Sequence, residues 1–546
     1  MKIFLNLSGP LFLAIFLVAI GTARIVSTYR HVSQVYDEPF HMLRGMHWQT
    51  GHAYVHSEHP PLGPLVFAFL PRLLGIEYGD AGSKLADGNS ILYGNGEYLN
   101  TLVLFRIGNL LFFWLACFLL YQWLASRGRR LEGMMAIGFF TLCPTVLGHS
   151  GVATTDMPIT AMLLCAVVFI ERAMGKPTLA KWVVAGLATG LSLVAKLSAL
   201  LFVPICLLVL LCFSPNISGL SKSKLRPIVN LIVYLVASFV VVWSVFGFTS
   251  GTLGSIRIKE YEFDGFSTWL SKVVVPFPEF IAGVVWAKSK LDAGHGDYFF
   301  GTAAEGGSTL FFPTVLAIKS PLVLLVFGLV SCVACWMKIA KRKSGWLEWP
   351  MLPLVISISL LLAVIPSSVN IGVRHLLPIY PFLSVLAADG MHRWLGCIGK
   401  GKILRAFTLI GFGTAVVWLL ADSIASHPHY LSHFNEIAFG RPERIVLDSD
   451  LDWGQGVFEL ERTCRENDIE RLQVYYFGTA SIDKHDLPLE PSPEDSNYWI
   501  AISLTLLFRQ TQFEEFRQKV PDAMVDGGSI WLYHIPRSRL LKASER

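Results

Sequence analysis

The chain has 546 residues, of which 53% are hydrophobic and only 16% charged, and its mean hydropathy is +0.51. Soluble domains carry about 25% charged residues, so this composition excludes an ordinary soluble protein and reads as a polytopic membrane protein. The formal net charge of +5 calls for no nucleic-acid partner and matters less than where the cations fall, because Lys and Arg in short loops set orientation.

A membrane-crossing helix needs about 20 apolar residues. Segments that approach this are 4–27, 102–124, 133–149, 157–173, 182–196, 199–213, 228–247, 309–336, 349–365, 375–392 and 406–426. The first run is long enough to span, and no small-residue cleavage site precedes the acids that follow it, so a retained span is expected, not a cleaved signal peptide. With the N-terminus cytoplasmic, the inside loops carry Arg127, Arg129 and Arg130; Lys176 and Lys181; Lys222, Lys224 and Arg226; Lys338, Lys341, Arg342 and Lys343; and Arg393, Lys400, Lys402 and Arg405. The short outside loops 150–156 and 366–373 carry no Lys or Arg. Eleven crossings with this orientation put residues 427–546 outside.

Two longer outer loops are expected at 28–101 and 248–308. The first holds "YDEPFH" (36–41), the polar stretch "WQTGHAYVHSEHPP" (48–61) and "PPLGPLVFAFLPRLLG" (60–75). The last is apolar, too short to span and broken by proline, so it reads as an interfacial helix. The tail 427–546 changes character. "RLQVYYFG" (471–478), "YWIAISLTLL" (498–507) and "GSIWLYHIP" (528–536) read as strands, with helices expected at 454–467 and 513–520, together a small α/β domain. Of nine cysteines, eight lie in or beside apolar segments, and Cys464 stands alone in the tail, so no disulfide framework is expected.

Ionisable residues at membrane segments are costly and therefore functional candidates. The outer face is expected to gather Asp37, Glu38, His41, Glu58, His59, Asp156, Lys196, His295, Asp297, Arg374 and His375. A carboxylate can take a proton from a hydroxyl nucleophile. Cations, or a metal held by carboxylate and imidazole, can neutralise a phosphate leaving group. Each residue also has a plainer role. Asp37 and Glu38 can favour the N-terminus of a helix starting at Pro39, His59-Pro60-Pro61 can mark a helix start, Asp156 can cap the next helix, Lys196 can snorkel and Arg374 can anchor at the interface. In "DSDLDWGQGVFE" (448–459), Asp448, Asp450, Asp452 and Glu459 have an EF-hand-like spacing, but Trp453 stands where the turn needs glycine. An Asp-capped helix after a strand end is the competing reading.

The ordered series "YDEPFH", "EHPPL" (58–62), "TTDMP" (154–158), "GHGDYFFG" (294–301), "RHLLPIYPFL" (374–383) and "DSDLDWGQG" (448–456) resembles the protein O-mannosyltransferase and lipid A aminoarabinose-transferase group of integral-membrane glycosyltransferases. That resemblance implies a GT-C fold: an α-helical polytopic membrane protein with a transmembrane catalytic domain over 1–426, interfacial helices and an extracytoplasmic α/β domain over 427–546. It implies a polyprenyl-phosphate-linked sugar donor, an extracytoplasmic acceptor (protein, lipid or glycan) and inverting single displacement at the plasma or inner membrane. It assigns Asp37 as general base, Glu38 as its support or an acceptor contact, and Asp156 as a second catalytic acid. His59 stands where the aminoarabinose transferases carry a lysine, so Arg374, then Lys196, become the leading phosphate ligands, with His375 beside them. A divalent cation held by Glu58 and His295 is a further implication, as is sugar or acceptor contact through Asp452 and Trp453. The alternatives from other classes are a transporter or flippase of a lipid-linked or anionic substrate, which would line a midplane path with charge, and a non-catalytic membrane scaffold.

Overall fold

The protein is represented by a computed structural model that describes residues 9–49, 59–94, 96–213, 225–252, 272–294, 296–340, 349–396, 401–490 and 497–536. Helix α1 (Gly9–Thr28) is apolar up to Arg24, whose guanidinium bonds Ser423 far along the chain. Three helices follow before the next long apolar segment: α2 (Glu38–Gln49), α3 (Leu62–Leu73) and α4 (Lys84–Tyr93). The short α3 coincides with the apolar, proline-bearing stretch expected to lie in the interface. It packs between α2 and α5 (Tyr98–Ala125), a helix apolar on all faces and buried through most of its length.

Prolines break two of the apolar segments. Helix α6 (Arg130–Thr141) ends at Leu142, and α7 (Pro144–Ser150) leaves at a 68° bend. Pro144 lacks the N–H that would continue the helical ladder and is suited to a helix start. Further on, α13 (Phe311–Lys319) and α14 (Leu322–Ala340) meet at 114° across Ser320-Pro321. Between these lie α8 (Asp156–Gly175), buried on nearly every face, α9 (Leu179–Leu193), α10 (Ala199–Cys212), α11 (Leu225–Val245) and α12 (Pro278–Ala293). The last apolar helices are α15 (Met351–Val364), α16 (Tyr380–Leu395) and α17 (Lys402–Ala425).

Among the described residues, every segment expected to span is largely helical, with breaks in 133–149 and 309–336 and a 3₁₀ start to 375–392. By length and composition, however, five of the described helices are long and apolar enough to cross alone, or seven if each bent pair is one span. α9, α10, α15 and α16 fall short, with 15, 14, 14 and 16 residues. The core runs through α1, α5, α6, α8 and α16, which bury Phe105, Phe113, Trp123, Phe139, Phe140 and Phe382. The α17 surface is largely apolar and outward, with Ile403, Phe407 and Ile410 exposed, as lipid-facing surface should be.

Two small antiparallel pairs lie between α11 and α13: β1 (Ser250–Thr252) with β2 (Val274–Pro276), and β3 (Gly296–Phe299) with β4 (Thr302–Glu305). After α17 the tail forms a mixed sheet of β5 (Leu472–Tyr475), β6 (Tyr498–Ser503), β7 (Ala523–Val525) and β8 (Ile530–Ile535), in the order β5-β6-β8-β7. β5 and β6 run parallel, and the other neighbours antiparallel. Ile500, Ile502 and Tyr533 bury one face, and Ala501, Leu532 and α18 (Val457–Glu466) the other.

The expected strands are present, with corrections. β6 stops at Ser503, and residues 504–509 turn into helix α19. The buried Asp452 carboxylate accepts the Thr505 N–H at 3.0 Å and holds that turn. Helix α18 begins at Val457, not 454, because the preceding residues bond elsewhere. The helix expected at 513–520 shrinks to α20 (Glu514–Arg517), and the short β7 is an addition.

Candidate functional site

One buried cation folds the loop that leaves α1. Arg106 lies within the apolar α5 and is fully buried. Its Nε and Nη2 donate to the two oxygens of Glu38 at 2.8 Å, and it also reaches the carbonyls of Val32 (2.7 Å) and Ser33 (2.8 Å). Glu38 further accepts the N–H groups of Val35 at 2.9 Å and Ala153 at 2.8 Å. A carboxylate has about four acceptor sites, and here the protein occupies that number. Glu38 therefore shapes the turn that presents Asp37; its oxygens do not face an acceptor.

Asp37 takes a different partner. Its Oδ2 accepts from Arg374 Nη1 at 2.5 Å across most of the chain, and the two side chains retain 23% and 12% exposure. Arg374 stands on a 3₁₀ turn (Val373–Ile379) directly after Gly372. The Trp453 ring centroid lies 4.6 Å from the Arg374 guanidinium carbon, a cation–π distance, and Arg374 Nε is buried without a hydrogen-bond partner among the described residues. Burial pushes the Asp37 carboxyl up, but Arg374 and His41 pull harder, leaving it below the usual carboxylate range.

The second acid forms its own pair. Asp156 opens α8, accepts Lys196 Nζ at 2.6 Å and is bonded by the Thr154 hydroxyl at 3.0 Å. Lys196 lies in the turn between α9 and α10. This turn is tied to the start of α3, where the Leu62 N–H donates to the Val194 carbonyl at 3.0 Å. His375 stacks on Phe312, with centroids 6.1 Å apart and planes at 20°. His59 packs edge-on against His41 at 5.0 Å. Burial first, and then Arg44, hold His41 down to about 3; burial and the adjacent His41 hold His59 well below the ordinary histidine range. Both rings are neutral at physiological pH, so His59 brings a hydrogen-bonding edge and no charge to the site.

Asp37, His59, Asp156, Lys196, Arg374 and His375 thus converge at one end of the helical bundle, where the charges of the two acids, Lys196 and Arg374 act on one another and on the two neutral rings. Glu58 and His295 lie outside the described residues. Among the described residues no three His, Cys, Asp or Glu side chains form a metal-holding group. The EF-hand spacing is not a calcium loop either, because its acids are separately engaged: Asp450 accepts Val373 N–H at 2.8 Å, Asp452 accepts Thr505 N–H, and Glu459 meets His31 at 3.1 Å. Asp452 and Trp453 are also buried to 1% and 2% exposure, which corrects the expectation of sugar or acceptor contact there. A cavity of about 660 Å3 flanks α17 between Trp418, Asp422 and Glu436, but none of the expected site residues borders it.

Sequence reasoning missed Arg106. The available signal was its position as the sole charged residue in the apolar segment 102–124, which is where an intramembrane charge asks for a partner. Trp453 carried no comparable signal, since its contact with Arg374 depends on tertiary folding.

Residues 15–253, somewhat less than half of the chain, match the family model described as dolichyl-phosphate-mannose-protein mannosyltransferase. The chain is similar in structure to ArnT from Cupriavidus metallidurans bound to undecaprenyl phosphate, at 12% identity, over 95% of this chain and 97% of that one, with a TM-score of 0.47. It is similar to the archaeal oligosaccharyltransferase AglB from Archaeoglobus fulgidus at 14% identity, over 76% and 55% of the two chains, with a TM-score of 0.48. The Pmt1-Pmt2 protein O-mannosyltransferase complex of S. cerevisiae is similar at 18% identity, over 44% and 34%, with a TM-score of 0.34. No curated protein matches the chain by sequence. The family match bears out the resemblance read from the ordered motifs.

Proposed function

We propose that this protein, a membrane glycosyltransferase as the family match bears out, transfers a monosaccharide from a polyprenyl-phosphate donor to an extracytoplasmic acceptor with inversion. The observation that carries this reading is the Asp37–Arg374 pair, a carboxylate and a guanidinium in contact and both partly open, beside the Asp156–Lys196 pair. Among the described residues these two pairs sit at helix ends, whereas a transporter would be expected to line a path through the middle of the bundle with charge. The lysine and arginine bias of the short loops in the sequence supports an extracytoplasmic position for this end.

The acceptor hydroxyl gives its proton to the Asp37 carboxylate as its oxygen bonds the anomeric carbon from the face opposite the phosphate. The bond between that carbon and the phosphate oxygen breaks, and the electron pair leaves with the polyprenyl phosphate. Arg374 neutralises the departing phosphate with its fixed charge and forked donors. In the structure Asp37 occupies Arg374. An incoming phosphate competes for the guanidinium, and the carboxylate it displaces becomes available as base. Asp156 holds Lys196 as the second cation, and Glu38 supports the Asp37 turn from behind. The residues that would hold a divalent cation by resemblance, Glu58 and His295, lie outside the described residues.

The test separates chemistry from binding. Asp37→Asn is expected to abolish transfer, a loss of about 10²–10⁴-fold, while undecaprenyl phosphate still binds. Arg374→Gln is expected to weaken that binding. Retained transfer in Asp37→Asn removes Asp37 as the base.

A further inference from the structure

The run from Asp448 to Gly456 has no part in the chemistry above, yet it bonds the residue before Asp37 and packs against Arg374. On one side its backbone runs along the approach to Asp37. The Trp453 carbonyl accepts the Tyr36 N–H at 2.9 Å, and the Gln455 carbonyl accepts the Ser33 N–H at 3.0 Å. The Ser33 hydroxyl in turn accepts the Val457 N–H at 3.1 Å. On the other side its side chains hold the approach to Arg374. Asp450 Oδ1 accepts the Val373 N–H at 2.8 Å, and the Ser449 hydroxyl donates to the Ile371 carbonyl. Gly372, between them, has φ of 126°, and a Cβ there would lie 2.6 Å from Ser449 Oγ; only glycine allows this approach. Trp453 itself is walled in by Val32, Val35 and Val152, with its ring against Arg374.

We propose that segment 449–457 is a splint across the active site, and that Trp453 is its positioning residue, fixing Arg374 against Asp37. Tyr36 precedes Asp37 and Val373 precedes Arg374, so two stretches 337 positions apart are bonded to one short segment of the C-terminal part. The indole is 2% exposed, so it offers no face to a sugar and acts through the guanidinium. Its importance grows with donor bound. Once a phosphate draws Arg374 from Asp37, the indole remains packed against the guanidinium, whose Nε has no hydrogen-bond partner among the described residues. This inference rests on the reading of Arg374 as a phosphate ligand, and its test is independent of that reading.

Hydrogen–deuterium exchange on the full chain in lipid nanodiscs reads the splint directly. Trp453→Met keeps apolar volume and removes the ring; Trp453→Phe keeps a ring. Trp453→Met is expected to speed exchange about tenfold in both 33–37 and 371–374, with 156–175 unchanged and Trp453→Phe close to wild type. Response in only one stretch, in neither, or equally in Trp453→Phe overturns the proposal. Should Trp453→Met lose its fold, Ser449→Ala, which removes only the hydroxyl on Ile371, is expected to loosen 371–374, and no loosening overturns the proposal. Binding of undecaprenyl phosphate separates the two readings. Trp453→Met is expected to weaken it about tenfold in the wild-type background and not further in Arg374→Gln. Equal weakening in both backgrounds overturns action through Arg374. If both stretches loosen while neither Trp453→Met nor Arg374→Gln changes the affinity, the splint stands and the phosphate assignment falls.

Discussion

Adjacent acids in "YDEPFH" do different work because their surroundings differ. Glu38 is sealed with Arg106, both with fully buried side chains, whereas Asp37 faces a partly open arginine. Removing one partner of a buried pair leaves an uncompensated charge, so Glu38→Gln is expected to destabilise the protein by about 3–5 kcal/mol. Thermal unfolding of the purified protein checks this, and Asp37→Asn should shift the midpoint far less. The pH dependence of activity follows from Asp37. Burial raises its carboxyl and Arg374 more than reverses that, so the base stays ionised to lower pH than an ordinary carboxylate. Activity through a carboxylate base is lost as pH falls through its pKa. Arg374→Gln is therefore expected to move the acid limb of the residual pH–rate profile to higher pH. A limb that stays in place, or moves down, assigns the base elsewhere.

The elements that carry the site are those whose ends converge: the turn after α1, the start of α8, the turn after α9 and the 3₁₀ turn before α16. Most were legible in the sequence, because hydrophobic runs mark helices and the charges left at their ends mark the face. Less was legible where folding overrides local pattern. The run 498–507 reads as one strand, yet it breaks at Ser503 because Asp452 seizes the Thr505 amide. "DSDLDWGQG" reads as a calcium loop or a capped helix, but its acids are spent separately on Val373, Thr505 and Gly454. Burial pushes Asp452 up to about 7. A folded pKa raised above the unfolded value gives stability that is present at low pH and lost as pH rises through the folded pKa. Stability should therefore fall between about pH 4 and pH 7 through this group, and Asp452→Asn should flatten that part of the curve. An unchanged slope in calorimetry would contradict the assignment.

At the scale of the molecule, the helical bundle and the C-terminal part of the chain are bonded to one another at the candidate site. Residues 33–36 bond to 453–457, Gln34 bonds Thr479 at 3.2 Å, and Arg374 sits on Trp453. Composition was enough to read a membrane protein, and loop charge led to the expectation of chemistry at one surface. They could not show that residues separated by hundreds of positions would pair, since such pairing is fixed by packing and leaves no local pattern. The central claim is that Asp37 is the base of a glycosyl transfer at the outer membrane face. Mass spectrometry of the cell envelope from cells lacking the chain, or carrying wild type or Asp37→Asn, tests it most directly. The account predicts a sugar-mass addition to an envelope component with wild type that is absent in both other cells, although Asp37→Asn is inserted and binds undecaprenyl phosphate. The same addition in cells carrying Asp37→Asn would contradict it.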